Sequence, residues 1–118
     1  MATVPNTPQN LLIGNVIYTW SSLASGDDGA PVGFTGSGDR TVQVLGTPGA
    51  GGTVLIEGSL DGVNYSTLRD PSGVALSFTG PGLKAILENV VSLRPRVTGG
   101  DGSTSFTVLI AARRGQNG

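Results

Sequence analysis

Residues able to do chemistry are few in this chain, and their spacing restricts what they can do. Asp27-Asp28 is the sole adjacent acidic pair. Calcium sites draw on several spaced oxygen ligands, so the pair reads as a solvated turn. Asp61 and Asp101 each precede a glycine, where a carboxylate steadies the turn itself. A two-carboxylate glycosidase needs its acids paired across a cleft, and nothing in the spacing of the eight acidic residues supports that. Histidine and cysteine are both absent. Their absence removes the usual general base, every Ser-His-Asp or Cys-His arrangement, and the commonest metal ligands. Glycine clusters occur at 49–52 and 99–102, yet no GxxxxGK[ST] phosphate loop is present. No catalytic, cofactor or metal residue is assigned, no cofactor is expected, and the chain reads as a non-enzyme.

Two residue groups suit binding. Arg94 and Arg96 stand two apart, so on a strand they project to one face, and Arg113 and Arg114 follow the last apolar run. They are either a solvated face or contacts to acidic surface on a partner. Tyr18 and Trp20 share a second strand face, where aromatics belong to a core or, alternatively, form a sugar-stacking platform.

The elements that position these groups follow from composition and period. The chain has 118 residues, within the range of one domain. Seven basic and eight acidic residues leave a net charge of −1, which gives no field for a nucleic-acid backbone. No apolar run approaches the roughly 20 residues of a membrane helix, and Met1 to Pro5 does not read as a secretion signal. Neither nucleic acid nor membrane is expected as a partner. Only 13% of residues are charged, against about 25% in ordinary domains; this suggests that other chains cover part of the surface.

Twenty glycines and seven prolines punctuate runs of Val, Leu, Ile and Phe. Strands are expected over Asn15–Ser22, Arg40–Leu45, Thr53–Leu60, Asn64–Leu68, Val74–Phe78, Val91–Thr98 and Thr104–Ala112, from their period-2 alternation. Val54, Ile56 and Leu60 are placed on one face, with Glu57 and Ser59 opposite. Asp61-Gly62 predicts a tight hairpin, and Asp70-Pro71-Ser72-Gly73 a type I turn. Leu83–Glu88 fits a short strand or turn. Pro95 cannot donate to a ladder, which predicts an edge strand or a bulge. Residues 24–38 read as a long loop pinned by Phe34. The result is an all-β antiparallel β-sandwich or jelly roll of about seven or eight short strands. Residues 1–12 form an extended N-terminal arm that lies free or on a neighbour, 13–112 the sandwich, and 113–118 a polar C-terminal tail.

The run Ile56-Glu57-Gly58-Ser59-Leu60-Asp61-Gly62-Val63-Asn64-Tyr65-Ser66-Thr67-Leu68, followed by Leu93-Arg94-Pro95-Arg96-Val97, resembles small β-sandwich structural proteins of tailed bacteriophages. It is similar to the jelly-roll cement, or decoration, proteins of phage capsids. Gly-Ser-x-Asp-Gly hairpins also occur in discoidin-like carbohydrate-binding sandwiches, which carry more aromatics than the six found here. The resemblance implies a virion protein, made in the host cytoplasm, that coats the capsid exterior and bridges subunits of the major capsid protein. It also implies self-association, as a homodimer in preference to a trimer. Arg94, Arg96, Arg113 and Arg114 are the expected contacts to the shell. A tail or baseplate component and a carbohydrate-binding module are the alternatives.

Overall fold

The computed structural model describes residues 3–10, 15–33, 39–88 and 90–113. Twelve strands run in chain order: β1 (Thr3–Val4), β2 (Thr7–Asn10), β3 (Asn15–Leu23), β4 (Asp28–Gly29), β5 (Val32–Gly33), β6 (Asp39–Thr47), β7 (Thr53–Ser59), β8 (Ser66–Thr67), β9 (Ser77–Phe78), β10 (Gly82–Ala85), β11 (Ser92–Thr98) and β12 (Ser105–Arg113). They form two sheets. The seven-stranded sheet runs β1-β4-β11-β7-β8, with β5 also on β11 and β9 also on β7, and the five-stranded sheet runs β10-β6-β12-β3-β2. Every pairing is antiparallel except β1 with β4. The expected sandwich is therefore present. Its larger number of strands comes from two-residue segments too short to show a period.

The core follows from alternation. Val42 and Val44 of β6, and Phe106, Val108, Ile110 and Ala112 of β12, are fully buried, as are Val54 and Ile56 of β7. Leu93 and Val97 of β11, in the same sheet as β7, join them. Each of the Val, Leu, Ile and Phe side chains contributes about 1.5–3 kcal/mol of transfer free energy. Trp20 sits among them, and its Nε1 donates to Ala30 O at 3.0 Å, which satisfies the one polar atom of the ring.

Four places depart from simple alternation. Leu23 would face outward by parity with Ile17 and Thr19, yet it is fully buried. The register explains this: Val108 opposes Trp20 while Phe106 opposes Leu23, so Ser21 and Ser22 together face one residue of β12. This β-bulge, with Ser22 at φ 59°, returns the next side chain to the core. Leu60 is 73% exposed, because β7 ends at Ser59 and the chain leaves the sheet there. Val74 and Val91 are likewise exposed just outside paired segments. At 24–33 the expected long loop contains β4 and β5, while Phe34 lies outside the described residues.

Pro95 does not mark an edge. Its strand, β11, lies between β7 and the β4/β5 pair, and Pro95 is in register with Ile56. Val97 N donates to Asp27 O at 2.8 Å, so the odd-numbered positions of β11 aim their amide sites at β4 and β5. Those two strands pair around Arg96 and around Ser92–Leu93, leaving Ala30 and Pro31 between them. Pro95 thus falls at the interruption of that ladder, where a missing N–H costs nothing.

The N-terminal segment expected to lie free or on a neighbour is bound by its own chain. Thr3–Val4 pairs with β4 in one sheet, and Thr7–Asn10 pairs with β3 in the other. Ala30 N donates to Val4 O at 2.7 Å. Residues 3–10 therefore cross from the margin of one layer to the margin of the other.

Candidate interaction surfaces

Arg94 and Arg96 project from the outer face of β11, as their spacing requires, into a set of fixed partners. Arg94 Nε is 3.0 Å from Glu57 Oε1, Arg96 Nη1 is 3.6 Å from Glu57 Oε2, and Arg96 Nε is 3.7 Å from Asp28 Oδ1. The Arg94 guanidinium also lies 4.1 Å from the centre of the Tyr65 ring, a cation–π contact. Tyr65 OH and Ser92 Oγ share a hydrogen bond of 2.8 Å. Glu57 is consequently buried although it points away from the core. Asp28 Oδ1 is itself buried without a hydrogen bond, 3.7 Å being an ion-pair distance only. Two positive and two negative groups make this patch neutral. Arg113 closes β12 in register with Asp39 and Asn15, on the other sheet. Its side chain and the whole of Arg114 lie outside the described residues. Arg94 and Arg96 thus stand on one sheet, and the backbone of Arg113 on the other.

The remaining chemical candidates resolve into structural roles. Asp27 Oδ2 accepts from Ala24 N at 2.9 Å, and Asp28 turns to Arg96, so the pair does not converge on an ion. Among the described residues no group of three Asp, Glu, His or Cys could hold a metal. Trp20 is fully buried, which agrees with the core reading of that face and goes against the alternative of an exposed sugar platform. Arg40 points inward with Val42 and Val44, a position its even parity on β6 already indicated. Its Nη1 donates to Val90 O at 2.7 Å, and burial lowers its pKa from the usual arginine value.

A rigid loop replaces the expected tight hairpin at Asp61-Gly62. The pairing of β7 with β8 stops at Gly58 and Ser66. Gly62 has φ +77° and Asp61 is not in the left-handed region, which a two-residue type I′ turn would require. Asp61 organises the loop instead. Its Oδ1 accepts from Val63 N and Asn64 N, both at 2.8 Å, and from Ser59 Oγ at 2.7 Å, and its Oδ2 accepts from Asn64 Nδ2 at 2.7 Å. The Asn64 and Val63 amides, then Ser59 and the Asn64 side chain, hold this carboxyl far below the usual carboxylate range. Leu60 and Val63 are 73% and 77% exposed on this ordered frame. The Ser-x-Asp-Gly-x-Asn run carried that information as an Asx turn.

At the opposite end, Asp101 joins two turns. It accepts from Ala50 N at 3.2 Å and from Ser103 N and Oγ, while Thr104 Oγ1 donates to Pro48 O at 2.8 Å. Gly49, Gly51, Gly99 and Gly100 all have positive φ there, which glycine adopts without strain.

The outer face of the five-stranded sheet is different in kind. One row across it reads Leu83, Gln43, Leu109, Thr19 and Thr7, and the next reads Ala85, Thr41, Ala111 and Ile17. Leu45 and Thr107 begin a third row. Leu83 is 65% and Leu45 42% exposed. Among the described residues no charged side chain stands in these rows. Asp39 and Arg113, register neighbours, mark the margin.

No family model matches the chain, and no curated protein matches its sequence. Among solved structures, it is similar to the SPBc2 prophage-derived protein YomS, with a TM-score of 0.63 and 9% identity over 88% of this chain and 98% of that one. It is also similar to a cupin domain from Bordetella pertussis Tohama I, with a TM-score of 0.53 and 15% identity over 96% and 95% of the two chains. At these identities the likeness concerns the fold: the chain is an all-β sandwich of the jelly-roll type.

Proposed function

We propose that this chain is a structural component of a phage particle: a capsid decoration protein that binds the outside of the shell and bridges major capsid subunits. The observation that carries the reading is the uncharged, partly apolar outer face of the five-stranded sheet. The space between the sheets is filled by Trp20, Phe106 and the aliphatic residues around them, so the surface is what remains for function. An open sheet face of this kind suits burial against another protein. The phage setting draws support from the prophage-derived YomS, whose fold extends over nearly the whole of both chains.

In this role the protein acts by contact alone, without turnover or cofactor. Asp61 preorders the loop that carries Leu60 and Val63, so docking them costs little ordering entropy. Arg96, whose side chain is 45% exposed, supplies polar contacts to the shell together with Arg94, Arg113 and Arg114. Added buried area between subunits raises the free energy needed to separate them.

Shells stripped of the protein provide the test. The purified chain is expected to sediment with such shells and to raise the temperature at which they open. Recovery on isolated tails instead would move the protein to the tail or baseplate, and failure to bind any particle would overturn the assembly reading. Turnover lost on neutralising one Asp or Glu would refute the contact-only role.

A further inference from the structure

We infer that residues 3–10 act as an autoinhibitory strap: they occupy a strand-accepting edge on β3 and keep that edge from pairing with other chains. The edge lies at the margin of the sandwich, apart from the sheet face given to the shell, so its behaviour is read on the purified chain alone.

The hazard is in β3 itself. From Asn15 to Trp20 this strand keeps an unbroken register with β12, and the bulge begins only after Trp20. That run, Asn-Val-Ile-Tyr-Thr-Trp, is rich in β-branched and aromatic residues and holds no charge, proline or glycine. Six-residue segments of this composition add readily to other strands when their edge is open. The other margins are blunted by different means. β8 and β9 have two residues each, and β10 has four with Lys84 among them; shortness and a lysine both discourage strand addition. On β3 the protection comes from Thr7–Asn10, which takes the outermost place in the five-stranded sheet.

Pro8 shows how the strap faces. It stands opposite Tyr18, yet it has no N–H, so that pair cannot exchange two ladder bonds. The ladder therefore runs through Thr7 with Thr19 and Gln9 with Ile17, and Pro8 turns its nitrogen to the outside. A further strand arriving at β2 meets a missing donor in the middle of a four-residue edge. A long, regular edge is thus exchanged for a short one broken by proline.

The strap is held mainly through its backbone. Thr3, Pro5, Thr7 and Pro8 are exposed, while Val4 packs against the core. Val4 O accepts from Ala30 N at 2.7 Å, which anchors the strap at the seven-stranded sheet. Few buried apolar contacts mean a low free energy of local opening, so the strap leaves β3 without unfolding the sandwich.

Amide hydrogen exchange followed by NMR provides the test. In the wild-type chain the Ile17 and Thr19 amides should be protected, but roughly tenfold or more less than the Tyr18 amide, which faces β12, because they exchange through opening of the strap. Thr7→Pro with Gln9→Pro removes both donors to β3. That double variant should expose Ile17 and Thr19 while Tyr18 and Ile110 stay protected, and it should form thioflavin-binding aggregates that the wild type does not. A synthetic peptide of residues 1–10, added in trans, should restore the protection and suppress the aggregates. Pro8→Ala should leave Ile17 and Thr19 protected, because the proline nitrogen faces outward. Unprotected Ile17 and Thr19 amides in the wild type, protection retained in the double variant, or exposure without aggregation or peptide binding would overturn the inference. If the double variant also loses protection at Tyr18 and Ile110 it has unfolded, and Thr7→Pro alone replaces it. A wild-type chain that binds no shell changes none of these readings, so the strap and the decoration role fail separately.

Discussion

Gly29 lies directly beneath the ring of Pro95: a Cβ at position 29 would stand 2.5 Å from both Cδ and Cγ of the proline, and 2.8 Å from Cδ1 of Trp20. These three residues come from β4, β11 and β3, so a single close approach ties the two sheets together. Gly29 is not among the glycines with positive φ. Its requirement is for space and not for conformation.

Gly29→Ala should therefore destabilise the protein by about 1–3 kcal/mol through overpacking. Urea unfolding would register this as a lower midpoint at unchanged slope. Pro95→Ala in the same chain should recover part of the loss, since it removes the ring the new methyl strikes. Independent, additive effects of the two substitutions would show that the contact is not what excludes a side chain at position 29.

Glu57 is the shared partner of two arginines, and its side chain is almost fully enclosed. Removing it leaves Arg94 and Arg96 facing each other. Glu57→Ala should cost about 1–3 kcal/mol, below the figure for a fully buried pair because both guanidinium groups reach solvent. Arg96→Ala should cost less, about 1 kcal/mol, because its side chain is half exposed and Arg94 still holds Glu57. Chemical denaturation of the two variants tests the order, and a larger loss in the arginine variant would contradict it.

Acid should weaken the protein through its turn carboxylates. The Asn64 amide lowers the pKa of Asp61, the Val74 amide that of Asp70, and the Ser103 hydroxyl that of Asp101. Burial alone would raise the pKa of Glu88, but its hydrogen bonds from Arg69 leave it lowered. Folded-state pKa values below the unfolded value of about 4 mean that their stabilising contribution is complete above that pH and is lost as pH falls through the depressed folded values. Unfolding midpoints measured from about pH 6 down to about pH 3 should decline. Asp61→Asn, which cannot titrate, should show a shallower decline than the parent. An equally steep decline would mean that Asp61 does not contribute.

Trp20 is the sole tryptophan and is fully buried. Its fluorescence should be blue-shifted in the native state and move red in one step with unfolding. Trp20→Ala should cost about 3–5 kcal/mol. Trp20→Phe should cost less, since it keeps one aromatic ring in the core and gives up the rest of the indole volume and the bond to Ala30 O. Native emission resembling that of free tryptophan would refute the burial.

What the sequence determined by itself is local. Alternation over Arg40–Leu45 and Thr104–Ala112 specified which side chains enter the core, because the two-residue period of a strand is a property of the strand alone. Asp70-Pro71-Ser72-Gly73 likewise carried its own turn, seen in the 2.8 Å bond from Gly73 N to Asp70 O. The spacing of Arg94 and Arg96 placed them on one face for the same reason. Tertiary structure decided everything that depends on a neighbour distant in the chain. The bulge opposite Thr107 turned Leu23 inward, the gap between β4 and β5 made room for Pro95 in mid-sheet, and Arg94 and Arg96 closed over Glu57. Which face of the five-stranded sheet remains open is also such a property. It depends in large part on β10, β6, β12 and β3, strands distant in the chain, coming into register, and no local pattern of side chains contains that information.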